Sequence, residues 1–99
     1  MEIQACSKDT EFHVRFVGEM NIYFANEIKE ALLSAVEQQQ DIVIDLSEVS
    51  EIDSTGLQLL RATAIQIELS GRTLNYIKND FDVKEKIELC GMETMLGYT

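Results

Sequence analysis

The segment that most constrains the fold is a short apolar run, Ile42-Val43-Ile44, which lies between Asp41 and Asp45. β-Branched residues favour strands, and a strand that is apolar on both sides suits the interior of a sheet that is covered on both faces. Amphipathic helix patterns lie before and after this run along the chain. A strand between two helices favours βαβ crossovers, which join strands that run parallel.

Three helices are predicted from apolar residues that recur at helical spacing. The first follows Asn21 as its N-cap, the second begins after Gly56 and ends at Ser70-Gly71, and the third runs from the cap Asp82 to Gly91. The apolar stripes of the first two helices are Phe24, Ile28, Ala31, Leu32, Ala35 and Val36, and then Leu57, Leu60, Ala64 and Ile67 with Leu59 beside them.

Two strands precede the first helix. Residues 12–16 alternate apolar and polar side chains, which is typical of a half-buried strand, and this strand is predicted to end at Gly18. A weaker edge strand, Ile3–Cys6, is predicted to pair with it through a hairpin connection, Ser7–Glu11.

The second half of the chain adds a turn and a further strand. Ser47–Asp53 is predicted to be a turn region that leads into the second helix, and Thr73–Ile77 to be a fourth strand. Leu96 and Tyr98 are expected to cover a sheet edge or to follow a last short strand. The order strand, strand, helix, strand, helix, strand, helix predicts a small α/β sandwich that occupies residues 1–99 as a single domain.

Charge and cysteine content exclude several classes of function. The chain of 99 residues has 18 acidic and 8 basic side chains, and its formal net charge of −10 disfavours contact with nucleic acid or an anionic membrane surface. No apolar run reaches the roughly 18 residues that a bilayer crossing needs, and Met1 is not followed by a signal segment. Cys6 and Cys90 lack the spacing of a zinc site or a disulfide framework. We therefore expect a cytoplasmic protein without metal or cofactor, and a monomer by default.

The segment with chemical interest is Asp53-Ser54-Thr55-Gly56-Leu57, at the start of the second helix. Ser54 or Thr55 could act as a helix cap and accept hydrogen bonds from backbone N–H groups of the first turn. One hydroxyl is enough for a cap, but two stand here side by side. A hydroxyl at a helix N-terminus also suits a phosphate, because free N–H groups and the helix dipole favour an anion. The segment therefore predicts either a cap or a surface switch.

The motif Ile52–Leu57 resembles the signature of STAS domains, the family of bacterial anti-sigma factor antagonists. The resemblance extends along the chain in the correct order. It includes the turn Gly18–Asn21, the strand Ile42–Leu46, the turn Ser70–Leu74 and the closing helical segment Ile87–Met92. The family resemblance implies a mixed, mostly parallel sheet of four to five strands with helices packed on one face. It also implies a non-enzymatic binding module without catalytic residues.

In the partner-switching systems of this family, the hydroxyl residue after the motif aspartate is phosphorylated. The matching residue here is Ser54. The implied partners are a serine kinase of the Bergerat-fold type, which is also the anti-sigma factor, and a serine phosphatase that resets the cycle. The resemblance implies a recognition surface around the acceptor made of Asp53, Thr55, Gly56 and Leu57, with Glu19 and Asn21 nearby.

Other readings of the same sequence stay open. An enzyme would need His13, the single histidine, to activate Ser54, but no G-x-S-x-G elbow supports this. Nucleotide binding has no phosphate-cradling loop to support it. Gln58 makes the motif similar to STAS proteins of chemotaxis gene clusters, and a non-phosphorylated adaptor subunit, as in lipid-transport ATPase complexes, is the main alternative. In the aromatic pair Tyr23-Phe24, either one ring is exposed and contacts a partner or both are core.

Overall fold

A computed structural model describes residues 1–77, which form one four-stranded sheet and two long helices. The elements in chain order are β1 (Glu2–Lys8), β2 (Glu11–Met20), a short 3₁₀ helix (Ile22–Phe24), α1 (Ala25–Glu37), β3 (Asp41–Ile52), α2 (Ser54–Leu69) and β4 (Leu74–Ile77). The predicted third helix, Asp82 to Gly91, and the predictions for Leu96 and Tyr98 lie outside the described residues.

The sheet has the order β1-β2-β3-β4, and it is mixed as the sequence predicts. β1 and β2 form an antiparallel hairpin, whereas β2, β3 and β4 run parallel. Each parallel pair is connected through a helix, which is the connection that parallel strands require. The predicted α/β class with a mostly parallel sheet is confirmed.

One face of the sheet forms the core together with both helices. Phe12, Val14 and Phe16 are buried at alternate positions of β2, and Ile42 and Ile44 continue the same layer in β3. The buried residues of the helices complete this cluster, and they are Ile28, Leu32 and Ala35 of α1 and Leu57, Leu60, Ala64 and Ile67 of α2. Burial of these side chains, at roughly 25 cal/mol per Å² of apolar surface, is the main force that holds the helices on the sheet.

The hairpin connection is shorter than predicted. β1 and β2 pair from Glu2 opposite Val17 to Lys8 opposite Glu11, so only Asp9 and Thr10 form the turn. Asp9 adopts a positive φ of 58°, which Asp tolerates better than most residues because its short polar side chain can hydrogen-bond locally. The polar composition of the predicted connection therefore belongs partly to an exposed edge strand.

The predicted turn at Ser47–Asp53 is wrong, because β3 continues through this segment to Ile52. Arg15 lies opposite Asp45 but Val17 lies opposite Glu48, so β3 has one extra residue in that interval. A second extra residue follows, since the neighbours Gly18 and Glu19 of β2 lie opposite Val49 and Glu51. These bulges break the period-2 alternation of a strand, and the buried positions become Leu46, Val49 and Ile52. Polar residues outnumber buried ones in this bulged part of the strand, so its sequence resembles that of a turn.

Both helix starts also differ from the prediction. Asn21 caps the 3₁₀ helix, from which α1 follows at Ala25, so the α-helix itself begins later than expected. α2 begins earlier, at Ser54, directly after the last residue of β3 and its cap Asp53. Within residues 1–77, no helix combines the length and the apolar character that crossing a membrane requires.

Candidate functional site

The candidate site lies at the carboxyl ends of β2 and β3, where the 3₁₀ helix and α2 begin. Met20 and Ile52, the last residues of these two strands, lie opposite each other in the sheet. The segments that follow them, which start at Asn21 and Asp53, therefore leave the sheet side by side. Ligand and partner sites of parallel α/β folds occur at this edge because helix N-termini and loops converge there.

Asp53 joins the two segments. Its Oδ1 accepts a hydrogen bond from the Gly56 N–H (3.0 Å), and its Oδ2 accepts one from the Ile22 N–H (3.1 Å). Its own N–H donates to the carbonyl of Met20 (3.1 Å). The cap of α2 is therefore Asp53, and the expectation that Ser54 or Thr55 caps the helix is wrong. The two oxygens of the carboxylate each accept one N–H, so a single side chain bonds both segments.

Glu19 and Asn21 order the loop before α1. The Asn21 Oδ1 accepts a hydrogen bond from the Tyr23 N–H (3.0 Å), and the Asn21 Nδ2 donates to the Glu19 Oε2 (3.2 Å). Asn21 has an extended backbone, as an N-cap residue should. The structure thus bonds Glu19, near the end of β2, to Asn21 of the following loop, and Asp53 bonds the next residue of that loop, Ile22.

Gly56 lets the first turn of α2 lie directly on the end of the sheet. A Cβ at this position would lie 2.8 Å from the Ile52 Cγ1 and 2.9 Å from the Met20 carbonyl oxygen. Both distances are shorter than ordinary van der Waals contact. The glycine of the motif is therefore needed for close approach between α2 and β2, and not for an unusual backbone conformation.

Ser54 points outward at this junction. It is exposed and Thr55 is half-buried, and neither side chain forms a hydrogen bond with any other residue of the described 1–77 range. Leu57, in contrast, is only 7% exposed and belongs to the core, and Gly56 is also buried. The motif therefore divides into residues that build the helix start and hydroxyls that bond no other side chain or backbone group of the described part of the chain.

The surroundings of the site are acidic. Glu19 and Glu51 are both exposed and lie opposite each other on β2 and β3. Among the described side chains, neither carboxylate forms an ion pair, whereas the neighbouring Glu48 binds Arg15 (3.1 Å). No group of three or more potential metal ligands occurs in the portion of the chain that is described.

The structure separates His13 from Ser54. His13 lies opposite Val43 in the sheet, and its Nε2 is 3.5 Å from a carboxylate oxygen of Glu11. From Val43 the strand continues to Ile52, on the order of 25 Å of extended chain, before Ser54 is reached. A serine nucleophile activated by this histidine is therefore excluded by geometry.

Sequence reasoning missed two contributors to the site, Met20 and Ile22. Met20 is fully buried, and its carbonyl accepts the Asp53 N–H, so a backbone group performs its role and no side-chain pattern indicates it. Ile22 is 65% exposed although it is a large apolar residue. The one signal in the sequence is that Ile22 stands outside the apolar stripe of the first helix.

Known proteins resemble this chain along most of its length. The family model of the STAS domain matches residues 2–98. The anti-sigma-B factor antagonist of Bacillus subtilis is 30% identical over 74 residues, which is 75% of this chain and 68% of the relative.

Solved structures share the fold. An anti-sigma factor antagonist from Mycobacterium paratuberculosis superposes with a TM-score of 0.85 at 22% identity, over 98% of this chain and 83% of that one. The anti-sigma factor antagonist SpoIIAA in its unphosphorylated form gives a TM-score of 0.79 at 16% identity, over 95% of this chain and 84% of that one. The phosphorylated form of Bacillus SpoIIAA gives 0.74 at 15% identity, over 95% and 87%.

Proposed function

The chain belongs to the STAS domain family, and from that premise we propose that it is an anti-sigma factor antagonist switched by phosphorylation of Ser54. In the unphosphorylated form it sequesters an anti-sigma factor that is also a serine kinase of the Bergerat-fold type. Phosphorylation of Ser54 by that kinase ends the complex, and a serine phosphatase restores the binding form. In this proposal, the protein acts in the cytoplasm as a binding module and not as an enzyme.

The observation that carries this proposal is the uncommitted hydroxyl of Ser54. A serine at a helix start ordinarily serves as a cap, but here the cap is Asp53 and Ser54 is exposed. The hydroxyl is therefore accessible to a kinase without loss of a hydrogen bond to any residue between 1 and 77. The Bacillus SpoIIAA named above has this fold in its phosphorylated form as well, which supports a modification that leaves the fold intact.

A phosphate on Ser54 changes the surface more than the fold. It adds about −1.5 to −2 charges on the residue that follows Asp53 in the chain, three positions after the exposed Glu51. A partner that covers Ser54 in its neutral form must then desolvate or repel those charges. A penalty of about 3 kcal/mol lowers the affinity more than a hundredfold, because each 1.4 kcal/mol corresponds to a factor of ten. One modified atom is therefore enough to exchange partners.

The remaining motif residues support the switch in two ways. Thr55 is half-buried beside Ser54 and is proposed to contact the partner directly, as are the exposed parts of Asp53 and Glu19. Gly56 and Leu57 are buried, and Asn21 binds the loop backbone. These three residues contribute by holding the helix start and the loop in place.

Affinity capture from native cells tests the proposal, with the wild-type chain, Ser54→Ala and Ser54→Asp as baits. Ser34→Asp is the matched control, because it adds the same charge to an exposed serine of α1. We expect a kinase that binds wild type, Ser54→Ala and Ser34→Asp but not Ser54→Asp. If all four baits bind the same partners equally, the chain is instead a constitutive adaptor subunit, of the chemotaxis-associated or lipid-transport kind, and the switch is refuted.

A further inference from the structure

Two consecutive large apolar side chains lie exposed in the loop that is bonded to Asp53. Ile22 is 65% exposed and Tyr23 is 87% exposed, whereas the next residue, Phe24, packs against the core. Single exposed apolar residues are common on protein surfaces and need no explanation. A pair of this size at the edge of a candidate contact surface is a different case, because exposed aromatic residues are favoured anchors of protein interfaces.

The backbone of this pair is held by the site residues. The Ile22 N–H donates to Asp53 and the Tyr23 N–H donates to Asn21, while Asn21 in turn donates to Glu19. The two side chains thus project from a fixed 3₁₀ turn although they have little packing of their own. A surface ordered in this way before binding loses little conformational entropy when a partner covers it.

An acidic edge borders the apolar pair. Glu19 and Glu51 are exposed, lie opposite each other in the sheet and form no ion pair within residues 1–77. Two such carboxylates repel each other, and covering them with an apolar or acidic partner surface would add a desolvation cost to the binding free energy. A partner that covers Ile22 and Tyr23 therefore needs positive charge at this edge, and complementary charge also speeds the encounter.

We propose that Ile22 and Tyr23 are the apolar anchors of the partner contact, and that they enter an apolar pocket of a partner protein flanked by Lys or Arg side chains. This inference rests on the proposed function, since it describes the partner surface of the same site. It assigns Glu19, Asn21 and Asp53 a shared role, because their hydrogen bonds present the two anchors next to the acceptor hydroxyl.

The test measures affinity by isothermal titration, with the purified kinase recovered in the capture experiment as the probe. Ile22→Ala and Tyr23→Ala are compared with Leu69→Ala, which removes a side chain that is 78% exposed at the far end of α2, about 22 Å from Ser54 along the helix. We expect each anchor variant to weaken binding by about tenfold or more, and the Leu69 variant by less than twofold. Thermal unfolding by circular dichroism verifies that every variant is folded.

The charged edge is tested with Glu51→Gln against Glu37→Gln, an exposed acid at the end of α1. If the partner has basic residues at this edge, affinity falls as salt is raised from about 50 to about 500 mM, because salt screens exposed charges. The Glu51→Gln variant should then bind more weakly and depend less on salt, whereas Glu37→Gln should behave as wild type. Equal salt dependence in both variants would overturn the assignment of positive charge.

Failure of this inference is distinguishable from failure of the proposed function. If Ile22→Ala and Tyr23→Ala bind as tightly as wild type while Ser54→Asp abolishes binding, the anchors are wrong and the switch stands. If the anchor variants weaken binding while Ser54→Asp has no effect, the surface stands and the switch is wrong.

Discussion

Replacing Asp53 by Ala should destabilise the fold far more than replacing the neighbouring Ser54. The Asp53 carboxylate accepts one hydrogen bond from the Gly56 N–H (3.0 Å) and one from the Ile22 N–H (3.1 Å). Loss of a helix cap costs about 1 kcal/mol, and loss of the second bond, on a half-exposed group, costs about 1 kcal/mol more. The expected total is about 2 kcal/mol of unfolding free energy.

Two further variants divide this effect. Asp53→Asn keeps an oxygen that can cap α2 but loses the second acceptor for Ile22, so we expect a loss of about 1 kcal/mol. Ser54→Ala removes an exposed hydroxyl that bonds to no other residue in the described range, so we expect a change within about 0.5 kcal/mol. The predicted order of stability is Ser54→Ala, then Asp53→Asn, then Asp53→Ala.

Urea unfolding followed by circular dichroism measures these differences directly. In thermal unfolding, a loss of about 2 kcal/mol should lower Tm by roughly 8–16 °C, since 1 kcal/mol corresponds to about 4–8 °C in a domain of this size. If Ser54→Ala proves as destabilising as Asp53→Ala, the serine is the cap after all. The reasoning that leaves its hydroxyl free for modification would then be refuted.

Three other predictions concern the fold around the site. Gly56→Ala should lower the unfolding free energy, measured by urea unfolding, by about 1–2 kcal/mol. The added methyl group overpacks against Ile52 and the Met20 backbone, and this outweighs the roughly 1 kcal/mol gain in helix propensity. Equal or higher stability would contradict the close packing. Val49→Ala should lower the unfolding free energy by about 2 kcal/mol, since it removes two buried carbon groups from the bulged part of β3. Its control, Ser50→Ala on the exposed side, should change that free energy by less than about 0.5 kcal/mol. Equal effects would contradict a strand in this segment. Burial raises the pKa of the Tyr76 hydroxyl, so the unfolded chain loses this proton near pH 10 while the native chain retains it. The unfolding free energy should therefore fall above about pH 10 by up to roughly 1.4 kcal/mol per pH unit. Tyr76→Phe should make this decline less steep, and an unchanged slope would contradict the raised pKa.

The order of elements could be predicted because periodicity decides it. The buried positions of β2 alternate, and those of α1 and α2 follow helical spacing, so each pattern has a single interpretation. The bulged half of β3 could not be predicted, since two inserted residues change the spacing of Leu46, Val49 and Ile52 from two to three. Long-range register creates that spacing, and a local pattern does not contain it.

The sequence indicates which residues form the candidate site, but it does not indicate which of them caps α2 and which hydrogen bonds join the two segments. The family resemblance implies that Glu19 and Asn21 lie near the motif, and the structure gives the physical reason, since the ends of the parallel strands β2 and β3 meet at one sheet edge. The hydrogen bond from the Ile22 N–H to Asp53 joins residues that are far apart in sequence, and the cap could have been any of three neighbouring polar side chains. The direction of the backbone at the end of β3 decides which side chain faces the N–H groups of Gly56 and Ile22. The amino-acid types alone do not determine that direction.

The most direct test of the central claim is phosphopeptide mapping by mass spectrometry of the protein isolated from native cells. The peptide that contains Ser54 and Thr55 must be fragmented so that the two hydroxyls are distinguished. We predict a phosphate on Ser54, absent in Ser54→Ala and not transferred to Thr55. A protein that is unmodified under every growth condition, or modified at Thr55 alone, would contradict the switch and leave Ser54 as an exposed serine of a constitutive adaptor.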